Sequence, residues 1–240
     1  MKKLTWYHEL GFFNNPFSVK PTVFHNEIIG HHQTMAEITK EIMNSGIILI
    51  SGEYGTGKTT SLKRIIFKFR SGRLEGKKVI YYNCNQSEKS IDFDKLLINA
   101  GGFFRKLFRI RKKNMIILLD EAQDMNKKDM EQVEKYYDTG FLKSVVFVSK
   151  NKNLKFSEGL KEKNNINKFE LSNMDNEEAI EMIRKRIGKL QFISDEIIVK
   201  IFNVNKNSRA FLKNCEDVCK YTFDNGNRIV EEEYIKKALK

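Results

Sequence analysis

Residues 52–59 read Gly-Glu-Tyr-Gly-Thr-Gly-Lys-Thr, a complete G-x-x-x-x-G-K-[ST] loop, and the apolar run Ile47-Ile48-Leu49-Ile50 leads straight into it. The segment after it, Thr59-Thr60-Ser61-Leu62-Lys63-Arg64-Ile65-Ile66, has helical spacing, so the motif stands in the strand, loop and helix context that a phosphate cradle requires. Glycines at 52, 55 and 57 allow a sharp backbone turn. Successive N–H groups from Gly52, Glu53, Tyr54, Gly55, Thr56 and Gly57, with the positive end of the following helix, then converge on phosphate oxygens. Lys58 adds a mobile cation for the β- and γ-phosphates, Thr59 a hydroxyl for Mg²⁺, and Thr60 a contact near the α-phosphate.

The chain has 240 residues, enough to bury a substantial core as one domain with an appendage or as two compact lobes. Only Pro16 and Pro21 are present and no Gly/Ser-rich linker divides the chain, so boundaries must come from pattern. The start, Met-Lys-Lys-Leu-Thr-Trp-Tyr-His-Glu, has no secretory apolar stretch, and the longest apolar runs are strand-sized. A soluble, cytoplasmic protein with no membrane partner is the expectation. Cys84, Cys215 and Cys219 form an odd set without metal-ligand spacing; the i, i+4 pair reads as helix packing, and His31-His32 has no nearby ligating companion. A formal charge of +12 favours a polyanionic partner, although lysines scattered over helices also serve simply to solvate a face.

Strand-like runs recur at Lys78–Tyr82, Met115–Leu119, Val145–Val148 and Lys168–Leu171, with helix-like spacing between them, interrupted at Gly101-Gly102. Alternating strands and helices predict a parallel five-stranded sheet covered on both faces. Beyond Asp175 only helical spacing remains, at about 175–188, 194–204, 208–223 and 231–239, with Ser194 and Asn207 or Ser208 as N-caps. The change near Ser172 divides the chain into an α/β nucleotide-binding domain over 1–171 and a helical domain over 172–240.

The third strand ends in Asp120-Glu121, and carboxylates at the carboxyl end of a parallel strand face the phosphate loop. Asp120 is expected to hold Mg²⁺ through its water shell, and Glu121 to polarise the water that attacks the γ-phosphate. At the tip of the fourth strand Ser149 could orient water and report nucleotide state, with Asn151 as the competing candidate and an ordinary loop start as a third reading.

Phosphate loop, Asp-Glu strand end, polar fourth-strand tip and trailing helices together resemble an AAA+ ATPase, a P-loop NTPase of α/β class with a small all-helical lid. Ile28-Ile29-Gly30-His31-His32 resembles the family's adenine-side box, and Asn207-Ser208-Arg209-Ala210-Phe211-Leu212 its second sensor motif. Leu10-Gly11-Phe12-Phe13-Asn14-Asn15-Pro16-Phe17-Ser18 with Gly52-Glu53 is similar to ExeA-, TniB- or TnsC-type transposition ATPases, and Tyr82-Asn83-Cys84 to origin-recognition and Cdc-type initiators. The resemblance implies ATP and Mg²⁺ as cofactors. It also implies that Arg209 contacts the γ-phosphate and that Phe12, Phe17, Ile28 and Ile29 wall the adenine pocket. Ring- and filament-forming relatives insert an arginine from a neighbouring subunit, yet this chain has none between Arg111 and Arg184. Lys161 or Lys163 could substitute only as a point charge without the planar fork of arginine.

Arg105, Lys106, Arg109, Arg111, Lys112 and Lys113 interleave with Phe103, Phe104 and Phe108. Helical spacing places Phe104 and Phe108 toward the core and the cations outward, suited to nonspecific DNA phosphate contact or simply to a solvated face. Lys63, Arg64, Lys68, Arg70 and Arg73 form a second cluster. Two functions compete. One is an Mg-ATP-hydrolysing switch in DNA transactions (replication initiation, recombination or transposition); the other is an ATP-dependent protein-binding module with little or no hydrolysis. Asp120-Glu121-Ala122-Gln123 also fits a helicase motif, but no second set of motor motifs accompanies it. Homo-oligomerisation and a protein partner are left open by the sequence.

Overall fold

The computed structural model describes residues 5–19, 29–70, 79–86, 90–101, 106–163 and 166–239. Contacts divide the chain into two compact units, one running from His31 to Ser172, the other joining the described residues before His31 to those from Asn173 onward.

The first unit is built on five parallel strands, β1 (Ile47–Ser51), β2 (Val79–Asn83), β3 (Met115–Asp120), β4 (Leu142–Ser149) and β5 (Ile166–Glu170), in the order β2-β3-β4-β1-β5. Strand side chains alternate between faces, and here both faces are covered. Ile47, Leu49, Ile117, Leu119, Val145 and Phe147 enter one core, whereas Ile48, Ile50, Ile116, Leu118, Val146 and Val148 enter the other. This is why β1, β3 and β4 read as unbroken apolar runs rather than alternating ones. Edge strand β5 is only partly buried, consistent with its mixed sequence Ile-Asn-Lys-Phe-Glu.

Helices α2 (His32–Met43) and α3 (Lys58–Arg70) supply Ile38, Ile42, Leu62, Ile65 and Phe69 to the second of these cores. On the opposite face lie α4 (Phe93–Asn99) and α5 (Lys127–Asp138); a short α6 (Glu158–Glu162) precedes β5. Helix α5 starts at Lys127, where Asn126 and Asp129 form a reciprocal capping box. Buried Asp129 also accepts a 2.8 Å hydrogen bond from the Ile91 amide, fixing the lead-in to α4.

The second unit contains α7 (Asn176–Ile187), α8 (Asp195–Val204), α9 (Ser208–Asp224) and α10 (Glu232–Ala238), preceded in the chain by a short α1 (Trp6–Glu9). Ser194 and Asn207 cap α8 and α9 as expected, and Asp175 with Glu178 forms a capping box on α7. Cys215 and Cys219 are free thiols wholly buried in its core, where burial pushes both thiols upward.

The described residues up to Gly30, expected with the sheet, belong by contact to this helical unit. Phe17 is fully buried there and stacks on Trp6 with centroids 5.6 Å apart, while Trp6 also meets Phe223 at 6.1 Å. Arg186 of α7 donates to the carbonyls of Pro16 and Ser18 at 3.0 and 3.1 Å. Phe17 is thus core rather than an accessible pocket wall. Among the described residues no helix is long and apolar enough to cross a membrane.

Phe17→Ala is expected to destabilise the helical unit by about 3–5 kcal/mol, the usual loss for a buried phenylalanine. Urea unfolding followed by Trp6 fluorescence measures it, and a loss below about 1 kcal/mol would contradict this placement.

Candidate nucleotide site

Strand β1 delivers the chain into the loop at Gly52, where a Cβ would stand 2.6 Å from the Leu171 carbonyl oxygen and 2.7 Å from Thr56 Oγ1. Gly55 and Gly57 have φ of 89° and 90°, a region closed to most side-chain-bearing residues. The turn is further closed by Thr56, whose hydroxyl donates to the Glu53 carbonyl at 2.9 Å. Helix α3 begins at Lys58, so its first N–H groups point into the concavity. Glu53 and Tyr54 are exposed at the rim, and Thr60 is half-buried.

Lys58 lies across this loop, its Nζ donating to the carbonyls of Gly52 and Glu53 at 2.8 and 2.7 Å. Burial lowers its pKa, and the charges of Glu121 and Asp120 oppose that shift. Asp120, 3% exposed, accepts from the Thr59 hydroxyl at 3.2 Å and the Tyr81 hydroxyl at 3.1 Å, both at Oδ2. Burial raises the Asp120 carboxyl above its usual range; hydrogen bonds from Tyr81, Thr59 and the Glu121 amide act in the opposite sense, and the Glu121 charge adds to the rise. Burial and then the neighbouring Asp120 push the Tyr81 phenol up to about 12.

Glu121 adopts a left-handed backbone with φ 53°, a strained state for a residue with a side chain. Its Oε2 accepts from Gln123 Nε2 at 2.6 Å, and Gln123 Oε1 in turn accepts from the Lys150 amide at 3.3 Å. The same glutamine therefore bridges the carboxylate and the chain leaving β4. Ser149, fully buried, pairs in register with Ser51, and its Oγ accepts from the Asn151 amide at 2.9 Å. The two candidates at this strand tip are thus joined to each other.

One unit accordingly brings Gly52 to Thr60, Asp120, Glu121 and Ser149 together. Ile29, buried, and Arg209, exposed in the first turn of α9, belong to the helical unit; Ile28 lies outside the described residues. Tyr81 and Gln123 are additions. Tyr81 carries no local signal, since its role follows from β2 pairing beside β3, and Gln123 marks itself only by following Asp-Glu-Ala.

The basic segment departs from expectation. Phe108 is 68% exposed, with Leu107 and Ile110 also outward, because left-handed Arg109 and Asn114 break the helical spacing. Arg111 is engaged with Asp94, Nη2 to Oδ2 at 2.9 Å, and lies over Tyr136 and Phe141; Lys113 lies over Phe141 at 5.6 Å. Lys106 and Arg109 are exposed, and Lys112 is half-buried. Arg105, Phe103 and Phe104 lie outside the described residues, as do Arg73 and the Arg70 side chain.

A parallel sheet whose interior strand β1 feeds a glycine loop and helix, with Asp-Glu at the carboxyl end of β3 two strands away, defines a P-loop NTPase. Residues 44–180 match the model of the AAA domain, and the chain belongs to that family. No curated protein sequence matches the chain. Its fold is similar to that of Drosophila ORC bound to DNA (TM-score 0.68, 14% identity, covering 100% of this chain and 66% of that one). Cdc6p from Pyrobaculum aerophilum is similar at TM-score 0.67 and 14% identity, over 93% of this chain and 69% of that one. The Thermotoga maritima RuvB Holliday junction branch migration motor gives TM-score 0.65 and 16% identity, over 88% and 69%. The chain thus spans roughly two thirds of each of these structures.

Because burial raises the Asp120 pKa, the folded chain binds that proton more tightly than the unfolded one, and stability from this group is lost as pH rises from about 4, the ordinary carboxylate value, through the folded pKa. Asp120→Asn is expected to raise Tm at pH 7, with the gain shrinking below about pH 4. Thermal melts from acid to neutral pH test this; a gain independent of pH would rule out the assigned cause.

Proposed function

We propose that this chain is an Mg-ATP-hydrolysing switch that acts in DNA transactions such as replication initiation, recombination or transposition. The observation that carries the reading is the cluster of Lys58, Thr59 and Asp120 at the mouth of the glycine loop, held by hydrogen bonds of 2.7–3.2 Å. A hydroxyl and a carboxylate are the hard oxygen donors that suit magnesium, so these residues fit the ion. Bound Mg²⁺ would neutralise charge on the β- and γ-phosphate oxygens. Thr59 would supply a hydroxyl and Asp120 a carboxylate to hold the ion and its water shell, and Lys58 would turn from its two carbonyl partners to phosphate. The negative charge of phosphate would oppose the desolvation that lowers the Lys58 pKa.

Glu121 is assigned the polarisation of attacking water, with Gln123 holding the carboxylate and Ser149 or Asn151 orienting water from the next strand tip. Arg209 is proposed, by resemblance, as the lid residue that reads the γ-phosphate, and Ile29 as part of the adenine wall. Of the expected pair 1–171 and 172–240, the first is assigned to nucleotide and the second to the lid, with the described residues before His31 counted by contact in the helical unit. A second reading, an ATP-dependent protein-binding module with little hydrolysis, is favoured by the lack of any arginine between Arg111 and Arg184 and by the 2.6 Å restraint on Glu121.

Lys58→Ala is expected to weaken ATP binding at least about tenfold, the loss of one charge-assisted contact. Glu121→Gln should retain binding and lower single-turnover hydrolysis by about 10²-fold. Unchanged turnover in the Glu121 variant would reject its role, and binding with no turnover in the unaltered chain, with or without DNA, would select the second reading.

DNA contact is assigned to the segment containing Arg105, Lys106, Arg109, Arg111, Lys112 and Lys113. The fold similarity to ORC bound to DNA and to a Holliday junction branch migration motor motivates this assignment. Since Arg111 is already paired with Asp94, Lys106 and Arg109 are the stronger contacts. Replacing both with alanine should make the slope of log affinity against log salt shallower by about 2 for duplex DNA. Fluorescence anisotropy across a salt series reads it; an unaltered slope would remove this segment from the interface.

A further inference from the structure

Between α2 and α3 lies a cleft of about 80 Å³ lined by His32, Met35, Ala36, Thr39, Arg64, Ile65 and Lys68. Three of these are basic side chains and none is acidic. Among the described residues no carboxylate pairs with Arg64, and its buried Nη1 has no hydrogen-bond partner. Ser61, three residues earlier on the same side of α3, is 1% exposed and its hydroxyl is likewise unpartnered. The Thr39 hydroxyl is already committed to the Met35 carbonyl at 2.7 Å, so the cations supply the donors. A guanidinium nitrogen withdrawn from water without an acceptor is destabilising, and such a group persists where something else requires it.

We propose that this cleft is a second anion site, binding one phosphate group between Arg64, Lys68 and His32. A small oxyanion fits a cleft of about 80 Å³. Arginine meets phosphate oxygens with two parallel N–H donors, and Met35 and Ile65 form the buried floor beside it. The site is distinct from the glycine loop. Arg64 and Lys68 stand six and ten residues beyond Lys58, about 9 and 15 Å along the helix axis, and none of the lining residues belongs to residues 52–59. The phosphate could be free or a phosphodiester of nucleic acid; the chemistry at Arg64 is the same, and the proposal does not depend on nucleotide at the loop.

Thermal unfolding of the full chain with inorganic phosphate, against chloride of equal ionic strength, tests it. In a Lys58→Ala background, which weakens anion binding at the loop, phosphate well above its Kd should raise Tm by about 2–4 °C. Adding Arg64→Met or the exposed substitution Lys68→Ala should remove at least half of that rise. In the absence of phosphate, Arg64→Met should leave Tm unchanged or higher, since the unpaired nitrogen is gone. For a duplex DNA probe, a slope of log affinity against log salt shallower by about 1 in Arg64→Met identifies the phosphodiester as the source. An unaltered slope together with a lost phosphate response identifies free phosphate. A phosphate response absent from the Lys58→Ala chain or equal in both variants, or an Arg64→Met chain that melts lower without phosphate, overturns the site. Loss of ATP binding in Lys58→Ala alone bears on the loop and leaves this result readable.

Discussion

Burial of β1 on both faces is the constraint from which the site follows. Ile47 and Leu49 are sealed in one core and Ile48 and Ile50 in the other, so the strand can neither rotate nor slip by a residue without exposing half of its side chains. That fixes where the chain leaves the sheet. Gly52 then passes so close to the Leu171 carbonyl that an added Cβ would stand 2.6 Å from its oxygen, a gap that only a residue without Cβ can traverse. The loop is therefore rigid at its root and open at its tip, a form that presents backbone donors at little further cost in order.

Opposite that root, β3 brings Asp120 into a setting that is unfavourable for a charge. Burial raises its pKa while Tyr81, Thr59 and the Glu121 amide counter the rise, and Lys58 nearby is lowered by the same desolvation. Neither group is fully satisfied by the other, since Lys58 spends its hydrogen bonds on loop carbonyls. Glu121 adds backbone strain at φ 53°. An arrangement that holds buried charge and strained backbone against its own stability has the character of a site awaiting a ligand of high charge.

The basic surfaces differ in the same terms. Arg111 is engaged with Asp94 and two aromatic rings, so part of the densest cationic run stabilises the fold at α4 and α5. Helical spacing assigned Phe108 to the core, but the periodicity argument presumes an unbroken helix and the left-handed Arg109 breaks it. The cluster on α3 was legible as charge along a helix. Its cleft was not, because the opposing wall comes from α2, whose residues lie before β1.

The sequence by itself determined the sheet strands, the loop and its helix, the acids that end β3, and the caps of α8 and α9, because each depends on neighbours a few residues away: apolar runs, glycines at fixed offsets, a capping side chain beside its helix. Only the tertiary structure decided that Tyr81 bonds Asp120 across 39 residues, that Lys150 meets Gln123 across 27, and that the Pro16 and Ser18 carbonyls meet Arg186 across 170 and 168. Trp6 and Phe17 could have filled any apolar core of the right shape. What placed them among α7, α9 and the other C-terminal helices was the space those helices leave when packed, a property of the assembled side chains that no local pattern encodes.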